Sequence, residues 1–293
     1  MTTNAPPPPI VALTLNYRDA VRTQRCVDSL LAAGAKGVLV WDNSADAGLS
    51  AQALRQSLAA QPAVQIVVSE RNLGFAAGVN RGMEVIAQRW PGAWVFLINN
   101  DAVIDPSALD KLAQALCTNP QAVIAYPRIK HGERVLGTMH YQRLFALLSF
   151  DEPMPGSFPY PSGAALLVAT DRTQAPLLDE DFFMYGEDVM LGWRLGTQRM
   201  AHVAEILVEH EASASARNGS LFYEMHVAAG HWLLGHKLAR NPLDQLLLFG
   251  GRCLSLPARA LLRTMRQRSL NPLIGLVRGW LLAWQRRRRE RHS

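Results

Sequence analysis

Residues 94–101 read WVFLINND, and this segment decides the fold class that the chain is expected to adopt. Its first five residues are large, apolar or β-branched, a pattern typical of a strand buried on both faces. Asn99, Asn100 and Asp101 follow without a spacer. Strand interiors reject carboxylates, so an acid at this point indicates a ligand site. The alternative is a turn closed by Asx hydrogen bonds.

Similar segments recur on both sides, with helical spacing between them. We predict strands at residues 10–15, 38–41, 64–68, 94–98, 123–126, 164–168 and 206–208, and helices at 18–33, 49–58, 76–89, 106–116 and 189–195. Residues 131–161 are predicted to form a long polar loop, and the chain is predicted to be helical from Leu221 onward. Alternation of this kind predicts an α/β fold with a mostly parallel central sheet flanked by helices.

Polar side chains cluster where the predicted strands end. They are Asn16, Asp42, Asn43, Asn72 and the run Asn99–Asp101. In mostly parallel sheets, ligands bind at the carboxyl ends of the strands. The sequence therefore predicts one binding site at this edge, with a hydrogen-bonding role toward a nucleobase or ribose for the segment around Asp42.

The stretch Arg71–Gly82, RNLGFAAGVNRG, is a glycine-spaced turn that continues into a helix. It matches neither GxxxxGK[ST] nor GxGxxG, which excludes the P-loop and dinucleotide-binding interpretations. Glycines let the backbone approach a ligand, and a helix N-terminus attracts anions. The alternative is a tight turn between a strand and a helix.

Residues 179–195, DEDFFMYGEDVMLGWRL, contain five carboxylates interleaved with Phe182, Phe183 and Tyr185. Glu187 and Asp188 begin the predicted helix there, and acids in a first turn also favour the helix dipole. An aromatic wall would raise the pKa of a neighbouring carboxyl by desolvation, which suits a general base. This segment is therefore a candidate catalytic site.

Asp101 and His210 are candidate metal ligands. Hard oxygen ligands such as Asp101 suit Mg²⁺ or Mn²⁺ facing a diphosphate. His210 follows the last predicted strand and can add a neutral imidazole nitrogen, although a lone histidine is more often structural.

Charge is distributed unevenly along the 293 residues. The net charge is +6, but residues 240–293 contain twelve arginines, no lysine and two acids, which gives +10 and leaves −4 for the first 239 residues. Leucines and tryptophans recur at helical spacing among those arginines. This pattern is typical of an amphipathic helix in the headgroup layer of an anionic membrane. A helix pair packed on the body or on a partner protein is the alternative, and no RNA-binding module is recognisable.

Three widely spaced cysteines indicate a reduced compartment, and we expect neither a secretory leader nor a spanning helix. The organisation predicted from these patterns has three parts. Residues 1–9 are a disordered, proline-rich lead-in, residues 10–240 a catalytic domain, and residues 241–293 a basic amphipathic helical tail.

Taken in order, seven segments resemble the inverting family 2 glycosyltransferases of GT-A fold, with bacterial rhamnosyltransferases as the most similar members. They are LTLNY, WDNSAD, RNLGFAAGVNRG, FLINNDAVIDPSAL, SGAALL, FFMYGEDVMLGWRL and EHEASAS, and they span most of residues 10–240. No single segment is specific to the family. The resemblance rests on the occurrence of all seven segments in the same order as in the family.

The resemblance implies a role for each matching position. Asp188 would be the catalytic base, and Asp101 and His210 would bind Mg²⁺ or Mn²⁺. The residues implied to contact the substrate or nucleotide are Asn16, Asp42, Asn72, Gly74, Asn80, Asn99, Asn100, Gly163 and Glu187. Asn99 replaces the first acid of the family's DxD motif. The implied reaction moves rhamnose or a hexose from a dTDP- or UDP-sugar to a hydroxyl of a glycan or lipid-linked acceptor, in polysaccharide biosynthesis on the cytoplasmic face of the cell membrane.

Three other functions remain open at this point. A sugar-1-phosphate nucleotidyltransferase would need a basic, glycine-rich N-terminal signature, which LTLNYRDAVRTQ lacks. A glycoside hydrolase would need two facing carboxylates and no nucleotide-like cluster. A non-catalytic scaffold would not need Asp101, Asp188 and His210 together.

Overall fold

The computed structural model describes residues 6–150, 152–210 and 219–290. The strands in these ranges are β1 (Ile10–Asn16), β2 (Gly37–Asp42), β3 (Val64–Val68), β4 (Trp94–Asn99), β5 (Ala102–Ile104), β6 (Ile124–His131), β7 (Arg134–Leu136), β8 (Met139–Gln142), β9 (Leu147–Phe150), β10 (Ser157–Tyr160), β11 (Ala165–Val168) and β12 (Met200–His210). The α-helices are α1 (Ala20–Ala32), α2 (Leu49–Ser57), α3 (Gly74–Arg89), α4 (Ala108–Thr118), α5 (Glu187–Leu195), α6 (Leu221–Lys237), α7 (Pro242–Gln267) and α8 (Asn271–Glu290).

These residues form two compact units. The sheet unit contains the described residues of 1–138, 161–177 and 195–212, and the helical unit contains those of 139–160, 178–194 and 213–293. The division into a catalytic domain of residues 10–240 and a tail of residues 241–293 stays a prediction. The predicted disorder of the lead-in falls partly on residues 1–5, which lie outside the described residues.

The main sheet of the sheet unit has the order β3-β2-β1-β4-β11-β6-β12-β5, with β7 paired to β6. The first four strands in this order are parallel, and β11 runs antiparallel to both β4 and β6. The register places Asn16 opposite Asp42, and Leu15 opposite Asn99. The strand ends that carry polar residues therefore meet at one edge, as predicted.

Close packing of α3 on β1 explains two glycines of the turn. A Cβ atom at Gly78 would lie 2.8 Å from Leu15 Cδ2, and one at Gly82 would collide with Leu13. Both positions therefore allow a helix to approach the sheet, rather than a backbone to approach a ligand. Gly74 begins the helix with φ +81°, a conformation that favours glycine.

The predicted loop at residues 131–161 is wrong, because it contains strands. β8 pairs antiparallel with β9 and β10 in a three-stranded sheet, and β7 extends the main sheet. These strands are three or four residues long, and β9 alternates between half-buried and exposed positions. Such short strands leave little apolar periodicity to detect.

Two further strands differ from expectation. β12 has 11 residues where a strand at 206–208 was predicted, because one face of its first half is exposed and so interrupts the apolar run. β5 was not predicted, since three residues are too few to show a period. Helix bounds shift by up to two residues. α1, for example, begins at Ala20 because the Asp19 side chain accepts the Arg22 backbone N–H.

Glycines also govern packing in the helical unit. A Cβ atom at Gly275 or Gly279 of α8 would collide with the backbone of α6 at Glu224 and Met225. Gly251 of α7 lies against the carbonyl oxygen of Leu144, whereas its neighbour Gly250 has nothing within 4 Å of its Cβ position. Gly251 therefore allows α7 to pack closely against Leu144, whereas Gly250 has open space where a side chain would lie.

We expect Gly251→Ala to lower the free energy of unfolding by about 1–3 kcal/mol, because the new methyl group overpacks against Leu144. Gly250→Ala is the matched control. It should be neutral or raise that free energy by about 0.5–1 kcal/mol, through helix propensity alone. Urea denaturation checks both values. Equal losses in the two variants would contradict the packing role of Gly251.

Candidate functional site

The strand-end cluster in the sheet unit is a connected hydrogen-bond network. Asn16 Nδ2 donates to Asp42 Oδ1 at 2.8 Å, and Thr23 Oγ1 donates to Asn16 Oδ1 at 2.8 Å. Asn100 Nδ2 in turn donates to Thr23 Oγ1 at 2.9 Å. Three predicted residues, Asn16, Asp42 and Asn100, are thus joined through Thr23. Sequence reasoning missed Thr23 because it lies within α1, away from any strand end.

Asp42 has one carboxylate oxygen without a protein partner in the described part of the chain. Its Oδ1 accepts from Asn16 and from the Ser44 hydroxyl, whereas Oδ2 is buried and has no partner among the described residues. An unsatisfied buried acceptor costs roughly 1–3 kcal/mol. A ligand N–H or O–H donor at this position would remove that cost.

The turn before α3 is built around an asparagine at the end of β2. Asn43 Nδ2 donates to the Gly74 carbonyl at 2.8 Å, and Asn43 Oδ1 accepts the Leu73 N–H at 3.0 Å. Asn72 Oδ1 accepts the Gly74 N–H at 2.9 Å. The predicted residues Asn72 and Gly74 are thereby fixed next to the end of β2. Asn80 lies one to two turns further along α3 and is 4% exposed.

Gly163 belongs to the segment that follows β10 and lies beside the end of β4. The next residue, Ala164, accepts the Asn99 backbone N–H through its carbonyl at 3.0 Å. The Asn99 side chain points to His210, with Nδ2 and Nε2 3.2 Å apart. Asn99 therefore links the region of Gly163 to the candidate metal ligands.

Asp101 and His210, predicted as partners from 109 residues apart, are in contact. His210 Nε2 lies 3.0 Å from Asp101 Oδ1, and both side chains are about nine-tenths buried. Strand pairing produces this contact, because β12 aligns His210 with Ala102 on β5 and with His131 on β6. The EHEASAS motif continues into residues that lie outside the described residues.

His131 supports His210 and was missed by sequence reasoning, because it fell at the start of the predicted loop. The two Nδ1 atoms are 2.9 Å apart, and the rings stack with centroids 5.0 Å apart. Burial, followed by the neighbouring His210, lowers the pKa of His131. A neutral His131 can therefore hold the His210 ring in one orientation.

A cleft of about 370 Å³ opens over these residues. Asp101, His210 and Glu209 line the cleft, together with Arg22 and Arg25 of α1. The cleft therefore combines ligands for a hard cation with positive charge suited to phosphate oxygens.

The donor set fits Mg²⁺ or Mn²⁺ only if a substrate completes the coordination shell. No group of three or more His, Cys, Asp or Glu side chains close enough to hold an ion occurs in the described part of the chain. Ions of this class often take one or two carboxylates, several waters and substrate phosphates. Asp101 and His210 match that arrangement, with His131 as the outer partner of the histidine.

The second candidate group lies in the helical unit, at the start of α5. Gly186 has φ +104°, and a Cβ atom there would lie 2.9 Å from the Phe182 ring. Both the positive φ and the close approach of the Phe182 ring therefore require glycine at this position. The turn delivers Glu187 and Asp188 to the first turn of the helix, where Asp188 Oδ1 accepts the Val189 N–H at 2.8 Å.

The three aromatic residues before α5 pack in the helical unit. Phe182 is in the core, 1% exposed. Phe183 stacks on His226 with centroids 4.9 Å apart, and Tyr185 meets Tyr223 edge-on at 5.2 Å. They anchor the turn to α6. That they also form the wall of a catalytic pocket stays a prediction.

Glu187, which precedes Asp188 in the first turn of α5, is desolvated by burial. Burial, with the charge of Asp188 as the second cause, raises the pKa of Glu187 to about 8, and its Oε2 atom has no partner among the described residues. Burial and then the charge of Asp188 also raise the pKa of Tyr160. Tyr160, on β10, is therefore a neighbour of Asp188 that sequence reasoning missed. Its backbone and Cβ fill the space beside Gly192, one turn along α5.

Glu187→Gln should change how stability depends on pH. An unfolded glutamate titrates near 4.5, and folded Glu187 titrates at about 8. Between these values the folded chain binds the extra proton, so the free energy of unfolding falls as pH rises, by up to about 1.4 kcal/mol per pH unit. Glutamine mimics the protonated acid and removes this loss.

We expect the melting temperature of the Glu187→Gln variant to exceed that of the wild type at pH 8.5, with a smaller or reversed difference at pH 5. Thermal unfolding monitored by circular dichroism across this range measures the effect. Glu133→Gln, at an exposed position, should keep the wild-type slope. If the melting temperatures of the wild type and the Glu187→Gln variant changed with pH in the same way, Glu187 would not be held protonated in the folded chain.

Comparison with curated proteins finds similar chains of defined activity. Over 266 residues the chain is 27% identical to an N-acetylglucosaminyl-diphospho-decaprenol L-rhamnosyltransferase of Mycobacterium tuberculosis. The match covers 76% of this chain and 81% of the relative, in strain CDC 1551 / Oshkosh and equally in strain ATCC 25618 / H37Rv.

Solved structures share the fold at low sequence identity. GalNAc-T7 with UDP, GalNAc and Mn²⁺ gives a TM-score of 0.57 at 11% identity over 80% of this chain, which spans 48% of that protein. S. aureus TarS 1-349 in complex with UDP gives 0.51 at 13% identity, covering 84% of this chain and 70% of that one. The fold is GT-A, a mixed α/β sheet flanked by helices, with a helical C-terminal part.

The model of the family described as Glycosyl transferase family 2 matches residues 10–185, well over half of the chain. This range includes the strand-end network, the turn before α3 and Asp101. The chain therefore belongs to glycosyl transferase family 2.

Proposed function

We propose that this glycosyltransferase moves a sugar from a nucleoside diphosphate donor to an acceptor hydroxyl with inversion at the anomeric carbon. The contact between Asp101 and His210, in a cleft that also holds Arg22 and Arg25, carries this proposal. It combines a cation site with positive charge for a diphosphate. The rhamnosyl donor in the name of the mycobacterial relative favours dTDP-rhamnose, with a UDP-hexose as the second choice.

The nucleoside end of the donor is assigned to the strand-end network. The free Oδ2 of Asp42 can accept the N–H of a thymine or uracil ring, because that oxygen lacks a protein partner. Asn16, Asn99 and Asn100 would reach the ribose and the diphosphate. Gly74, Asn72, Asn80 and Gly163 would line the same pocket.

Asp101 and His210 would hold Mg²⁺ or Mn²⁺ once the diphosphate supplies the remaining ligands. Such an ion stabilises the negative charge that develops on the leaving diphosphate. His131 fixes the His210 ring through the contact between their Nδ1 atoms, so the imidazole nitrogen stays directed at Asp101. Arg22, which is paired with Asp19, and Arg25 also line the cleft and would add positive charge.

Asp188 would act as the general base. Its carboxylate takes the proton from the acceptor hydroxyl while that hydroxyl attacks the anomeric carbon from the face opposite the diphosphate. A single displacement inverts the configuration and needs no covalent sugar–enzyme intermediate. Glu187, held protonated at neutral pH by its pKa of about 8, can donate a hydrogen bond to the acceptor.

The acceptor is proposed to be a glycan or a lipid-linked sugar of cell-surface polysaccharide synthesis, as the decaprenol-linked substrate in the relative's name suggests. We further propose peripheral attachment to the cytoplasmic face of an anionic membrane through residues 241–293. On α7, Leu243, Leu247, Leu254, Leu261 and Met265 are 52–71% exposed and share one helical face. None of the described helices has the length and hydropathy needed to cross a bilayer.

Donor binding is tested by thermal unfolding with dTDP, UDP, GDP, CDP and their common sugars, each with and without Mn²⁺. A ligand that binds only the folded chain stabilises it by about 2.7 kcal/mol at 100 times Kd. We expect a Mn²⁺-dependent shift with dTDP or UDP, and we expect Asp101→Asn to lose it. Asp110→Asn, on the exposed face of α4, is the control. No shift with any nucleoside diphosphate would reject the donor site and favour a scaffold.

Asp188→Asn should lower the rate of sugar transfer by at least about 10³-fold, because the amide cannot take the proton of the acceptor. The thermal shift with the donor nucleotide should remain, since the proposed donor site lies in the sheet unit and Asp188 does not belong to that unit. Asp28→Asn on α1 should leave transfer unchanged. Near-normal turnover in the Asp188→Asn variant would refute the assignment of the base.

A further inference from the structure

We infer that a cavity formed by α6, α7 and α8 in the helical unit binds the phosphate of a membrane lipid. Its volume is about 250 Å³, enough for about eight water molecules at roughly 30 Å³ each. Trp232, His236, Gln245, Phe249, Arg252 and Arg287 line it, and none of its lining residues is an acid. The nucleotide and the base proposed above use none of these residues.

Arg252, one of the lining residues, forms no ion pair with a carboxylate in the described part of the chain. Arg252 is 0% exposed, and its hydrogen bonds go to neutral groups: the carbonyls of His231, Leu248 and Arg143, and the Tyr141 hydroxyl. A buried cation without a carboxylate partner is costly. An anion in the cavity would offset that cost.

Two further residues that line the cavity, Trp232 and Arg287, carry N–H donors. Trp232 Nε1 is buried and has no hydrogen-bond partner among the described residues. Arg287 forms no ion pair with a described residue. The acid near the start of α7, Asp244, is already paired with Arg143 at 2.6 Å. The free donors and the charge thus both favour an anion.

The cavity opens onto an apolar surface, which makes a lipid a better occupant than a free anion. Leu246 and Phe249 line the cavity and are 66% and 48% exposed. They adjoin the outward face of α7 described above, while Arg252, Arg259 and Arg263 of the same helix bond to groups within the unit. A helix with leucines outside and arginines inside suits an alkyl environment. The phosphate would enter the cavity, and the acyl chains would lie along α7.

This inference refines the proposed membrane attachment and rests on it. It predicts recognition of a particular group, the lipid phosphate, in addition to general attraction by surface arginines. The two can be separated, because Arg287 lines the cavity whereas Arg278 lies exposed elsewhere on α8.

The test is isothermal titration of the full chain with octyl phosphate below its micelle concentration. We expect wild-type binding, at least about tenfold weaker binding for Arg287→Gln, and less than a twofold change for Arg278→Gln, since only Arg287 would lose a charged hydrogen bond to the phosphate. Trp232→Phe keeps the ring but removes the free N–H, and should also weaken binding. Equal losses in both arginine variants, or no binding by the wild type, would overturn the inference.

Two further experiments distinguish a lipid phosphate from free inorganic phosphate. Inorganic phosphate should bind far more weakly than octyl phosphate, and equal affinity would mean a site for free anions instead. Flotation should be stronger with vesicles of phosphatidylcholine plus phosphatidylglycerol than with phosphatidylcholine alone, and Leu254→Glu should reduce it while keeping octyl phosphate binding. The nucleotide thermal shift of Arg287→Gln should match the wild type, so failure here and failure of the proposed transferase function give different results.

Discussion

The parallel register of β1 with β2 and β4 is the constraint on which the candidate site depends. It aligns Asn16 with Asp42, and Leu15 with Asn99, so that polar side chains at three strand ends meet at one edge of the sheet. Each of these strands is largely buried, and its amide and carboxylate side chains lie where the strand leaves the sheet. A slip by one residue would reverse the faces of the strand and disperse the network.

Strand pairing also assembles the candidate cation site. Parallel pairing with β6 and antiparallel pairing with β5 hold β12 so that His210 meets both Asp101 and His131. The histidine ring is thus directed before any ion arrives. Two protein ligands would leave room for a diphosphate in the coordination shell of a cation, so cation binding would be coupled to donor binding.

On α7, arginines point into the helical unit and leucines point outward, which is the reverse of an ordinary surface helix. Arg252 and Arg263 of α7 turn inward to carbonyls and to Glu224, and leucines face outward. Composition alone indicates a basic amphipathic tail, but it places the arginines on the polar, outer side. The contacts show that several of them hold the helices together, whereas Arg287 lines the cavity.

Sequence alone determined the α/β class and the strands of the parallel half, because buried strands and the polar residues at their ends leave a local signal. The partnership of Asp101 with His210 was predicted from the resemblance to a family. Only the tertiary structure revealed Thr23 in the network, His131 behind His210 and Tyr160 beside Asp188. It also revealed the burial of Glu187, whose side chain looks like an ordinary first-turn acid in the sequence. Each of these depends on which distant residues surround a side chain, and desolvation and hydrogen bonding are set by those neighbours rather than by local order along the chain.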